Sequence, residues 1–189
     1  MPISESYRQQ NAELHNRYAS YGTSSKRWHD KVNELSEKLN PKSILDYGCG
    51  KGLLAAGLPA LSIREYDPAI PGKDKIPESA DLVICTDVLE HVEPDMLEAV
   101  LSDLARVTQL CAFLNIAIRP AKKVLSDGRN AHLIIEPPEW WQAHIERFFT
   151  ILSWDVVPQM EVNALVAPTA QAEAILSQLA LPGHVDVGR

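Results

Sequence analysis

Apolar residues recur at helical spacing near both ends of the chain and bunch into short runs between them. Trp28, Val32, Leu35 and Leu39 share one helical face, and Asn40-Pro41 ends that helix. Tyr7, Leu14 and Tyr18 outline a weaker helix before it. Tyr21-Gly22-Thr23-Ser24-Ser25 reads as the turn that joins them. After Pro41 the texture changes. Ser43–Tyr47 is a short buried strand running into glycines, Leu53–Leu58 a short helix and Leu61–Tyr66 a second strand. Asp81–Thr86 is a third strand. Leu97, Val100, Leu101, Leu104 and Val107 make Pro94–Val107 an amphipathic helix, with proline suited to its first position. Leu110–Ile118 is a fourth strand and Pro138–Phe148 a helix rich in Trp and His. Thr150–Val157 and Met160–Ala167 form an antiparallel hairpin joined at Pro158-Gln159. Thr169–Ala180 is a closing helix.

Strands alternating with helices predict an α/β fold, a mainly parallel sheet with helices on both faces and the hairpin at its end. Residues 1–40 are expected to form a helical lid and residues 41–189 one compact core. Such sheets bind ligands at the carboxyl ends of their strands, so chemistry is expected just after Tyr47, Tyr66, Thr86 and Ile118.

Composition narrows the class. Of the 189 residues, 46% are hydrophobic and 23% charged, an ordinary globular balance that excludes a disordered or collagen-like chain. The formal net charge of −7 opposes a surface built to grip nucleic acid or anionic lipid. The start, Met-Pro-Ile-Ser-Glu-Ser, lacks the basic and apolar regions of a signal peptide, and the most apolar run, near Leu53–Ile63, is broken by Gly57 and Pro59. Cys49, Cys85 and Cys111 sit in or beside strand-like segments and read as reduced thiols. The expectation is a cytoplasmic protein with no membrane span.

Asp46-Tyr47-Gly48-Cys49-Gly50-Lys51-Gly52 follows the first strand and opens a helix. Glycines at 48 and 50 permit a sharp turn and close approach to a ligand, and the helix N-terminus behind favours an anionic group. A dinucleotide fingerprint needs glycine where Leu53 stands, which argues against a nicotinamide enzyme. After the second strand comes Glu65-Tyr66-Asp67-Pro68, then Asp81–Pro94 (DLVICTDVLEHVEP). Together these three segments resemble class I S-adenosylmethionine-dependent methyltransferases. Ile44–Gly52 is similar to the family's glycine motif, Asp67 to its second-strand acid, and Asp81–Val92 to its segment ending Glu-His-Val.

The resemblance implies a Rossmann-like fold, S-adenosylmethionine as cofactor and transfer of its methyl group. It implies methionine-moiety contacts at Asp46 and through Tyr47, Gly48, Cys49 and Gly50. It places the ribose on Asp67, adenine packing near Tyr66 and Pro68, and the Thr86-Asp87 turn beneath the adenosyl or sulfonium part. The family has a helix and a strand where this chain has only Pro68–Ala80. That stretch is too short for both, so the family's third strand is expected to be missing or vestigial. Asp74 is the one residue there offered for the adenine amino group; the other reading is a solvated loop acid.

Asp87, Glu90 and His91 have i, i+3, i+4 spacing and share a face if Asp87 opens a helical turn, and His132 follows the neighbouring strand. Two carboxylates and two imidazoles suit a divalent cation such as Mg²⁺. The set resembles those of the ubiquinone-pathway O-methyltransferases and the small-RNA 3′-terminal 2′-O-methyltransferases, although the first acid here is the shorter Asp. The alternative is a common helix start with no metal, in which His91 or His132 serves as general base. Arg119, Lys122, Lys123 and Arg129 cluster after the fourth strand, which points to a small acceptor bearing phosphate or carboxylate; a solvated loop is the other reading. Trp140, Trp141, Phe148 and Phe149 read as packing residues, one Trp being a candidate for the acceptor pocket. Lys51 reads as solvent-facing, with the methionine carboxylate as its other partner. His15, His29, His144 and His184 show no partner pattern. The favoured reading is therefore methyl transfer to an oxygen or nitrogen of a small acceptor. RNA 3′-end methylation and a non-catalytic methyltransferase-like module are the alternatives; the acceptor and oligomeric state stay open.

Overall fold

The computed structural model describes residues 3–18 and 21–179. Ala180, the expected end of the closing helix, and His184 lie outside them. One six-stranded sheet organises the chain. Its strands are β1 (Ile44–Tyr47), β2 (Ile63–Tyr66), β3 (Ala80–Thr86), β4 (Thr108–Ala117), β5 (Thr150–Val157) and β6 (Glu161–Ala167), in the order β2-β1-β3-β4-β6-β5. The β2-β1-β3-β4 half is parallel, and β6 pairs antiparallel with both β4 and β5. Between β2 and β3 the chain makes only turns, bends and extended backbone, so the strand that the family has there is missing, as the length of Pro68–Ala80 implied.

Helices cover both faces. Val32, Leu35 and Leu39 of α2 (His29–Leu39) pack with Ile44, Leu82, Ile84 and Phe113 on one side. On the other side the apolar stripe of α4 (Leu97–Val107) packs with Leu45, Val83 and Leu114. Trp141 and Ile145 of α5 (Pro138–Ile145) complete that layer. The period of two along each strand divides these residues between the two faces, and both faces are dry because both carry helices. The short α3 (Leu53–Gly57) follows the glycine loop, and α6 (Ala172–Leu179) lies beside α2 and β5.

Boundaries moved where caps and turns decide them. The helix expected from Pro94 opens as a 3-10 turn, Pro94–Met96, before α4, and α4 runs straight into β4 without a loop. Trp28 ends a 3-10 turn rather than lying within α2. The hairpin turns through Pro158, Gln159 and Met160, with Gln159 in the left-handed region at φ 61.

The first helix, α1 (Glu5–Arg17), lies across the sheet's carboxyl edge. Ser4 caps it by accepting from the Tyr7 N–H at 3.1 Å. The same serine donates its N–H and its hydroxyl to the Glu93 carboxylate, at 2.8 and 2.7 Å, and so ties the helix to the loop after β3. Tyr7 and Leu14 of α1 bury themselves against Leu125 and Ala131 of the long connection after β4.

Candidate active site

A cleft of about 610 Å³, part of it open to solvent, lies between α1 and the carboxyl ends of β1, β2 and β3. Gly48, Cys49, Gly50, Asp67, Thr86 and Asp87 form its floor, as the sequence suggested. Tyr7, Asn11 and His15 of α1 form the opposite wall, and none of them was a site candidate from the sequence.

The glycine loop works differently from expectation. Gly48 and Gly50 have φ of 80 and 51, which favour glycine. A Cβ on Gly48 would stand 2.4 Å from Val88 Cγ2, and one on Gly50 would stand 2.9 Å from the Gly22 carbonyl oxygen. The close approach they permit is therefore to the loop after β3 and to the turn before α2. Nor is the loop a cradle of open N–H groups. Gly48 and Cys49 donate to the Tyr66 carbonyl, Gly50 to Asp67 Oδ2, Lys51 to the Gly22 carbonyl and Gly52 to the Cys49 carbonyl. An anion held here has to find its donors in side chains.

Asp67 is buried, lines the cleft, and accepts from the N–H groups of Gly50 and Ala69 at 3.0 and 2.9 Å. Burial raises its pKa, against the pull of those two hydrogen bonds. Asp46 is buried too, and its Oδ2 has no hydrogen-bond partner. Burial, with Glu65 and Asp67 nearby, pushes its carboxyl up to about 7. Four of the expected contact residues, Asp46, Tyr47, Tyr66 and Pro68, do not line the cleft. Tyr47 and Tyr66 are register partners, so their side chains share the α4 face. They are buried there, ring centroids 5.2 Å apart, with the Tyr47 hydroxyl donating to Asp103. Neither ring lines the cleft, and Pro68 does not line it either. Asp74 is exposed and accepts from the Gly72 N–H at 3.2 Å, the solvated loop acid of the second reading.

Asp87, Glu90, His91 and His132 come together: each offers a ligand atom, and these atoms lie within 4.8 Å of one another. The route is not a helical turn opened by Asp87. Asp87 is left-handed at φ 59, its N–H donates to the Asn115 carbonyl, and a 3-10 turn, Leu89–His91, follows. Glu90 is fully buried; Oε1 accepts from the Ala117 N–H at 2.7 Å and Oε2 has no partner. His132 is delivered by the connection after β4. Asn130 holds that loop by accepting from the N–H groups of Ala121 and His132, each at 2.9 Å. The Nδ1 atoms of the two histidines meet backbone carbonyls, His91 with Ala131 at 2.7 Å and His132 with Arg119 at 2.6 Å. A carbonyl can only accept, so Nδ1 carries the proton and Nε2 keeps its lone pair, the tautomer of a metal ligand.

Electrostatics agree. Burial lowers the His91 imidazole to about 4, and burial also lowers His132. Burial and the Asp87 charge raise Glu90 well above the carboxylate range. Asp87 is pulled down despite its own burial, by His91, the Ser24 hydroxyl and His132. Burial and the Asp87 charge thus both favour the protonated form of Glu90. A bound cation would take over that proton's role, and the donor set fits a divalent ion.

The expected basic cluster disperses. Arg129 pairs with Asp127, while Lys123 Nζ lies 4.9 and 5.2 Å from the ring centroids of Tyr21 and Tyr18. Lys51 turns inward and donates to the Tyr18 carbonyl at 2.9 Å. Trp141 is core, and Trp140 stacks on His144 at 3.8 Å; neither lines the cleft. His29 Nε2 meets the Leu53 carbonyl at 3.2 Å, away from the site.

Comparison with known proteins decides the family: the sequence profile of the methyltransferase domain matches residues 15–113. The chain belongs to the methyltransferase domain family. Its fold is that of the class I S-adenosylmethionine-dependent enzymes. A 1,6-didemethyltoxoflavin-N1-methyltransferase from Burkholderia thailandensis, solved with S-adenosylhomocysteine, superposes with a TM-score of 0.64 at 15% identity, over 89% of this chain and 92% of that one. The N-methyltransferase NodS from Bradyrhizobium japonicum, also with S-adenosylhomocysteine, gives 0.59 at 12% identity, over 85% and 99%. Magnesium protoporphyrin IX methyltransferase from Synechocystis gives 0.56 at 15%, over 89% and 90%. No curated protein matches the sequence. Among the described residues, no helix is long and apolar enough to cross a membrane.

Proposed function

We propose that this methyltransferase methylates an oxygen or nitrogen of a small, anionic acceptor held beside Asp87, Glu90, His91 and His132, and that these four residues bind a divalent cation. One observation carries the reading: four donor atoms lie within 4.8 Å of one another, three from the turn after β3 and one from the connection after β4, and Asp87 and His91 among them line the cleft. Bound S-adenosylmethionine supplies an electrophilic methyl group for in-line displacement. The chain's part is to place the partners. Asp67 accepts from the ribose hydroxyls, and the orphan Oδ2 of Asp46 suits the methionine ammonium. Of the expected lid, α1 closes over the cleft through the Ser4–Glu93 contact and keeps water from the reacting atoms, whereas α2 covers a face of the sheet. A cation on the four residues would polarise an acceptor oxygen or nitrogen and ease loss of its proton. Lys51 and Lys123, beside Tyr18 and Tyr21, suit an acceptor carrying phosphate or carboxylate.

The test is metal binding. Protein stripped with chelator is titrated with Mn²⁺ and Mg²⁺ by calorimetry, and S-adenosylhomocysteine binding is followed separately. One metal site is expected. His91→Ala and His132→Ala should each weaken it at least tenfold and leave S-adenosylhomocysteine affinity within about threefold. Metal-stripped wild type that binds neither ion sinks the cation. Methylation that persists without metal and collapses in His91→Ala favours the general-base reading instead.

A further inference from the structure

β4 passes into the long connection through Ala117, Ile118 and Arg119, and all three are fixed by hydrogen bonds. The Ala117 N–H donates to Glu90 Oε1 at 2.7 Å, the Ile118 N–H donates to the Met160 carbonyl at 3.0 Å, and the Arg119 carbonyl accepts from His132 Nδ1 at 2.6 Å. Two of these bonds go to members of the Asp87, Glu90, His91 and His132 cluster, one on each side of Ile118. Arg119 therefore borders the cluster, and its charge is felt at His132. It is not among the residues that line the cofactor cleft.

The Arg119 side chain is half-buried and forms no ion pair with a described acid. Glu161, the register partner of Ala117, is taken by Arg27, and Asp87 accepts from the Ser24 hydroxyl at 2.9 Å. Nη1 reaches the carbonyl of Pro120, the next residue, at 3.5 Å, the outer limit of a hydrogen bond. Nε is buried and has no partner. Buried donors are paired as a rule, and leaving one unpaired costs more when it belongs to a charged group. The edge that stays open carries the Nε–H and one N–H of Nη2. These two bonds run parallel, at the spacing of the two oxygens of a carboxylate.

We infer that Arg119 binds a carboxylate of the acceptor through Nε and Nη2, and so orients the acceptor against the four-residue cluster. This rests on the methyltransferase reading and narrows its acceptor to a carboxylic acid, methylated at another oxygen or nitrogen. Charge and shape favour carboxylate over phosphate. Of the basic residues after β4, Arg129 is held by Asp127, Lys123 lies against the rings of Tyr18 and Tyr21, and Lys122 is exposed. One planar guanidinium is left, and it matches one planar, singly charged group. The hydrogen bonds at Ile118 and His132 hold the backbone on which it rides, so little freedom is lost when the anion arrives.

The probe is a matched pair, trifluoropropionate and its uncharged amide, followed by fluorine NMR on metal-free protein saturated with S-adenosylhomocysteine. Wild type is expected to bind the acid at least tenfold more tightly than the amide. Arg119→Met should bring the two within about threefold of each other while S-adenosylhomocysteine affinity stays within about threefold of wild type. Arg119→Lys keeps the charge without the parallel N–H pair and should fall between. Arg129→Ala should keep the wild-type preference, and acetate should displace the acid better than inorganic phosphate does. No preference in wild type, an undiminished preference in Arg119→Met, or phosphate as the better competitor overturns the inference. If Arg119→Met also loses S-adenosylhomocysteine, Arg119→Lys decides, and a lysine variant equal to wild type overturns the paired geometry. Wild type that does not bind S-adenosylhomocysteine removes the methyltransferase reading instead, and this one with it.

Discussion

Asp67 joins two tasks in one carboxylate. It fastens the Gly50 and Ala69 N–H groups, and it stands at the cleft where ribose hydroxyls would meet it. Both oxygens keep lone pairs for a ligand after those two bonds are made. Asp67→Ala should weaken S-adenosylhomocysteine by on the order of 2 kcal/mol, about 30-fold, as a pair of charge-assisted hydrogen bonds is lost. Asp67→Asn, which still accepts, should fall between. Titration that finds Asp67→Ala as tight as wild type removes the ribose assignment. The same residues show what sequence could convey. An acid following the second strand is legible, because its role depends on where a parallel strand ends. That its oxygens also tie down the glycine loop depends on two backbone amides whose directions no spacing encodes.

α1 is the element on which most of the site's unexpected residues ride. Its apolar pattern is thin, Tyr7 and Leu14 being its buried apolar residues, so its inner face reads as weakly amphipathic. The polar residues on that face look solvated in sequence, yet Tyr7 is buried and Asn11 and His15 are half-buried where they line the cleft. The helix is held at its start by Ser4 on Glu93. Glu93→Ala removes both hydrogen bonds while leaving the core untouched. The expected result is a several-fold faster release of S-adenosylhomocysteine in stopped-flow displacement, with a melting temperature within a few degrees of wild type. Release at the wild-type rate would show that α1 does not gate the cleft.

Taken as a whole, the fold stores an unpaired acid beneath its cofactor loop, and its stability should record that. The folded chain holds the Asp46 proton up to about pH 7, whereas the unfolded chain releases it near 4. The proton therefore favours the folded state fully below about pH 4, and this contribution is lost as the pH rises to about 7. Asp46→Asn is neutral throughout and should lose less stability over that range. Thermal melts of ligand-free protein from pH 4 to 8 check this, and parallel curves for the two proteins would sink it. If the Asp46 carboxylate meets the methionine ammonium as proposed, the same variant should bind S-adenosylhomocysteine more weakly, since Asn lacks the charge.

Chain order of the elements, the parallel half-sheet, the C-terminal hairpin and the missing strand were all legible in the residues, because each follows from local periodicity and from the length of Pro68–Ala80. So was the meeting of Asp87, Glu90 and His91 with His132, because β3 and β4 are neighbours and both segments leave the same edge of the sheet. Its means were not. The left-handed Asp87, the 3-10 turn after it and the Asn130 clasp arise from contacts between segments tens of residues apart. The fates of Tyr47 and Tyr66 depended on which face each strand residue took once both faces were covered. The inward turn of Lys51 and the placing of Tyr7, Asn11 and His15 on the wall of the cleft required α1 to cross it. Periodicity describes a segment by itself, whereas a wall of the site exists only when a second segment is laid against the first.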